Sequence, residues 1–111
     1  MITLPGNPKS TQNIYRFAGR IMYMNKVGKE LKESYQWEAK SQWKKEPTKG
    51  DIGVRIHLFF GDKRKRDIDN FNKLILDSLS GIVWEDDVQI QSLFISKHYD
   101  KENPRAEVVI I

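Results

Sequence analysis

Apolar positions along this chain change period several times, and each change marks an element. From residue 26 to 45 they recur every fourth position, at Val27, Leu31, Tyr35, Ala39 and Trp43, with charged residues between them. That spacing predicts an amphipathic helix, capped by Asn25 at its start and stopped by Pro47 and Gly50. The next run, IGVRIHLFF, sets Val54, Ile56 and Leu58 against Arg55 and His57, the alternation of a strand. From Ile68 the period turns helical again: Ile68, Phe71, Ile75 and Leu79 share a face that Leu74 and Leu76 widen, and Gly81 closes the helix. VQIQSLFISKHYD then predicts a strand, and ENPRAEVVII a turn followed by a last strand. Ahead of all these, MITLPGNPKS predicts a short extended piece ending in a turn-rich loop, and IYRFAGRIMYMN an extended or irregular segment broken at Gly19. The order extended–helix–strand–helix–strand–strand gives an α/β (α+β) fold, a mixed sheet packed with two main helices, and one domain over residues 1–111.

Composition narrows the class. A chain of 111 residues, 39% apolar and 31% charged, can fill one core and keep a solvated surface. It has no cysteine, which excludes disulfides, thiol nucleophiles and cysteine-held metals and points to a reducing compartment, the cytoplasm. No apolar run approaches the ~20 residues of a spanning helix, and MITLPGNPKS lacks the pattern of a signal peptide, so no membrane role is expected. The net charge of +4 is uneven: residues 1–50 hold ten bases against four acids, and residues 51–111 nine against eleven. A basic surface beside an acidic cluster suits a polyanion handled through a metal ion.

The candidate chemistry lies in KRKRDIDNFNK, residues 63–73. Asp67 and Asp69 stand where the chain leaves extended geometry for a helix, so their carboxylates can converge on one hard cation such as Mg²⁺ or Mn²⁺. Taken alone, the pair reads more simply as a helix cap. Lys73 lies one turn beyond Asp69 and could reach back to the acids or to a phosphate between them; an ordinary exposed ion pair has the same spacing. WEDD, residues 84–87, returns from the second helix to the next strand, so Asp86 or Asp87 arrives as a third ligand if that strand lies beside the earlier one. Lys63, Arg64, Lys65 and Arg66 would draw in a nucleic-acid backbone. His57 and His98 have no ligand spacing, and Trp37, Trp43 and Trp84 are expected to be buried rather than stacked on bases.

D-x-D-N-x-x-K followed by W-x-D-D-x-Q, together with LPGNP near the start and SKHYDKENPRAEVVI at the end, resembles the RusA family of Holliday-junction resolvases. The resemblance implies a homodimer that cuts four-way DNA junctions by Mg²⁺- or Mn²⁺-dependent hydrolysis during recombination and repair. Position by position, it implies Asp67, Asp69 and Asp87 as catalytic metal-holding acids and Lys73 as the essential lysine, with Asp86 as a secondary candidate. A noncatalytic basic DNA-binding module and a phosphohydrolase of small nucleotides remain as alternatives.

Overall fold

A computed structural model describes residues 1–11 and 14–111. Its spine is β4 (Ile52–Phe60), whose inward positions Val54, Ile56, Leu58 and Phe60 are buried as the alternation requires. The sheet runs β1–β6–β4–β5, with β1 (Ile2–Pro5) and β6 (Arg105–Ile110) at one side and β5 (Ile90–Tyr99) at the other. β5 is parallel to β4, with Ile56 opposite Ile95; β6 is antiparallel to both β4 and β1. A separate hairpin pairs β2 (Tyr15–Ala18) with β3 (Ile21–Met24). Thus IYRFAGRIMYMN forms two strands that turn at Gly19, where φ is +65° and a side chain would be strained.

The first helix, α1 (Lys26–Gln42), begins as expected: the Asn25 side chain accepts a hydrogen bond from the Gly28 N–H at 2.8 Å. Tyr35 and Ala39 are buried and Leu31 is half-buried, but Val27 is 58% exposed. The first turn faces inward through Gly28 instead. A Cβ there would stand 3.0 Å from the Ile14 Cβ, and this close approach turns the neighbouring Val27 to solvent.

The second helix is shorter than its apolar spacing suggests. Residues 68–70 form a 3₁₀ turn, and the regular helix α2 spans only Asn72–Leu79. Phe71, Leu74, Ile75 and Leu79 enter the core, while Ile68 stays 36% exposed because the 3₁₀ geometry takes it off the helical face. These side chains join those of β1, β4 and β6, with Val83 and Trp84, in one cluster. Each fully buried aliphatic contributes ~1.5–3 kcal/mol. Among the described residues no helix is long and apolar enough to cross a membrane.

Candidate active site

The connection from β4 to β5 carries all the predicted site residues. It leaves β4 at Gly61, whose N–H donates to the Asn7 side chain at 2.8 Å. Asp62 then accepts both terminal nitrogens of Arg66, at 2.8 and 3.0 Å, and the Arg64 backbone N–H at 2.9 Å. The Arg66 guanidinium lies 4.3 Å from the centre of the Phe60 ring, and its carbonyl accepts from Lys97 Nζ at 2.6 Å. The fork from Arg66, helped by the Arg64 N–H, lowers the Asp62 pKa to about 2. Of the four consecutive bases, Arg66 is therefore a strut. Lys63 stacks its ammonium 4.9 Å from the Tyr99 ring centre, and Arg64 and Lys65 are exposed.

Asp67 is extended, at φ −82° and ψ 124°, and the following 3₁₀ turn closes when the Asn70 N–H donates to its carbonyl at 3.1 Å. Thr11 pins this turn by donating its N–H and its hydroxyl to the Asn70 carbonyl, at 2.6 and 2.7 Å. Neither Asp67 nor Asp69 caps a helix through its side chain. Among the described residues the two exposed carboxylates have no hydrogen-bond or ion-pair partner. Asp67 borders a cleft of about 550 Å³ whose charged lining also includes Lys65, Arg66 and Lys97.

Lys73 does not pair back towards Asp69. Only Asn72 onward is regular helix, so the i, i+4 spacing is realised forward, and Lys73 Nζ stands 3.5 Å from Asp77 Oδ2. The same ammonium lies 4.8 Å from the centre of the Tyr15 ring, and the Tyr15 hydroxyl donates a short hydrogen bond to Asp77 Oδ2. Burial, that hydrogen bond and the charges of Asp77 and Asp87 all push the Tyr15 pKa upward, so the hydroxyl keeps its proton.

Asp87 and Asp86 have separate roles. Trp84 is fully buried, and its indole N–H donates to Asp87 Oδ1 at 2.7 Å. Burial raises the Asp87 pKa, the Trp84 hydrogen bond opposes the rise, Asp77 and Asp86 add to it, and Lys73 opposes it. Asp86 instead caps the 3₁₀ turn at 87–89: it accepts from the Val88 N–H at 3.1 Å while Gln89 accepts from the Asp86 N–H at 2.8 Å.

The structure thus groups Tyr15, Lys73, Asp77 and Asp87, and puts Asp67 on the basic cleft. Among the described residues no three His, Asp or Glu side chains form a ready-made metal cluster. The donors nevertheless fit Mg²⁺ or Mn²⁺, which bind through one or two carboxylates plus water and substrate phosphate rather than through an all-protein cage. Sequence reasoning missed Tyr15, Asp77 and Lys97. Asp77 had a legible signal, as the only acid within α2 and four residues after Lys73; Tyr15, 62 residues from Asp77, had none. His57 and His98 are both engaged by the Ser96 hydroxyl, at 2.8 and 2.7 Å.

A family model described as endodeoxyribonuclease RusA matches residues 5–111, a span that includes every residue of this site. The chain belongs to the RusA endodeoxyribonuclease family. It is also 44% identical over 46 residues to the uncharacterized protein YqaN of Bacillus subtilis (strain 168), a match covering 41% of this chain and 32% of that protein. The RusA match takes in both the hairpin that carries Tyr15 and the crossover that carries the acids.

Proposed function

We propose that this RusA-family chain is a divalent-metal-dependent endodeoxyribonuclease that resolves four-way DNA junctions in recombination and repair, working as a homodimer in the cytoplasm. One observation carries the reading: the acids of D-x-D-N have no protein partner among the described residues, and Asp67 borders a cleft lined by Lys65, Arg66 and Lys97. Free carboxylates beside bases suit a phosphodiester and an ion together better than either alone.

Asp67, Asp69 and Asp87 would hold Mg²⁺ or Mn²⁺. When bound, the ion supplies a more acidic water and neutralises charge on the scissile phosphate. Asp87 serves as the third acid better than Asp86, because the Trp84 N–H fixes it while Asp86 is occupied as a cap. Lys73, held between the Tyr15 ring and Asp77, presents its charge to the leaving oxygen. Lys63, Arg64 and Lys65 grip the backbone, and Arg66 shapes the loop that presents them.

The decisive comparison is wild type against Asp69→Asn. The variant should bind a synthetic junction in Ca²⁺ as wild type does and lose its cutting in Mg²⁺ by about two orders of magnitude or more. Retained cutting would remove Asp69 from the site. That no preassembled acid cluster stands among the described residues favours a second reading, a noncatalytic DNA-binding module. That reading prevails if wild type binds junctions and cuts none with any divalent ion.

A further inference from the structure

The β2–β3 hairpin stands outside the four-stranded sheet and carries large apolar side chains that the fold does not bury: Phe17 is 72% exposed and Ile21 71%. Exposed apolar groups gathered on one element mark a contact surface. The charge around them indicates what they contact. The chain has no acid before Glu30, whereas Lys9, Arg16, Arg20, Lys26 and Lys29 all precede it. A second copy of the chain would bring the same positive hairpin to a two-fold contact and repel it, while a polyanion is attracted. Aromatic rings interleaved with arginines are the pattern that grips single-stranded nucleic acid, ring on base and guanidinium on phosphate.

The hairpin is also aimed. Tyr15 pairs with Met24 and Phe17 with Met22, so Tyr15 and Phe17 lie on one face of β2, about 7 Å apart along the strand. At the base of that face Tyr15 bonds Asp77 and covers Lys73; Phe17 comes next, further out. A strand lying across Lys73 therefore meets the Phe17 ring one step later.

We propose that the β2–β3 hairpin is a DNA-contact element, in which Phe17 stacks on a base left unpaired beside the branch point while Arg20, in the turn, holds a flanking phosphate. This rests on branched DNA being the substrate, as argued above. Duplex DNA offers no free base face, so the contact favours branched over unbroken DNA.

The test places a fluorescent adenine analogue, which brightens when it leaves the stack of its neighbouring bases, next to the branch of a synthetic junction, and titrates protein in Ca²⁺. Wild type should brighten it. Phe17→Ala should abolish the change and weaken junction binding on the order of ten-fold, with duplex affinity and oligomeric state unaltered. Phe17→Trp keeps a ring and should restore the affinity. Because Phe17 is largely exposed, its removal leaves the core intact.

Wild-type brightening and affinity in Phe17→Ala would overturn the inference, as would a shift to monomer, which would assign the hairpin to a second copy. If wild type cuts nothing in Mg²⁺ or Mn²⁺ yet shows the Phe17-dependent signal, the nuclease reading fails and the hairpin stands. If wild type cuts junctions in Mg²⁺ but the signal survives in Phe17→Ala, the reverse holds.

Discussion

Asp62 accepts a two-pronged contact from Arg66, and the lowered pKa has a consequence for acid stability. A carboxyl whose folded pKa lies below its ordinary 3.8 stabilises the fold above that value, and the contribution fades as pH falls towards about 2. Urea midpoints of wild type and Asp62→Asn should therefore differ by a constant amount above pH ~5 and converge as pH drops through that window. A gap that does not narrow would show that the ionic form of Asp62 is not what holds the loop. Asp87 has the opposite sign: burial raises its pKa, so its ionised form costs stability, and the cost is relieved as pH falls. KRKR reads as four like charges because nothing local separates them. Arg66 is singled out by Asp62 four residues before it, Phe60 beneath it and Lys97 from β5.

At the level of elements, α2 is an eight-residue helix, too short to hold its shape without its contacts. Its packing and the WEDD turn support each other: Ser80 and Thr48 each form a bridge with Trp84, whose indole anchors Asp87. Trp84→Phe keeps a ring in the core but removes the N–H, leaving part-buried Asp87 without its donor. We expect a loss of about 1–3 kcal/mol in urea unfolding. Unchanged stability would mean that the hydrogen bond does not hold the turn. Periodicity made α1, β4, β5 and β6 legible, since a buried stripe or alternation writes itself into the sequence. It overextended α2 to Ile68 because 3₁₀ and α geometry place apolar residues at similar intervals over a single turn. It could not foresee that Lys73 would pair forward, which depends on where regular helix begins.

For the whole molecule, the proposed cutting of two strands with one site per chain would require two chains. Light scattering at micromolar concentration should return twice the 13.0 kDa of the chain. A single-chain mass would oppose paired cutting by a stable dimer. The fold class was legible from the order of elements, and D-x-D-N-x-x-K with W-x-D-D-x-Q marked the acids. The hidden part is long-range: Tyr15 reaching Asp77, and Lys97 reaching the Arg66 carbonyl, are products of the assembled sheet and hairpin. β6 adds a further consequence, since it is the last strand in chain order and lies between β1 and β4, the only described strand on which β1 pairs. On a ribosome, β1 must wait for residues 105–110 to emerge before it can join this sheet, although it is made before the other described strands. A partly synthesised chain thus carries the acids and bases of the crossover before β6 joins β1 to β4 and fixes the sheet behind them.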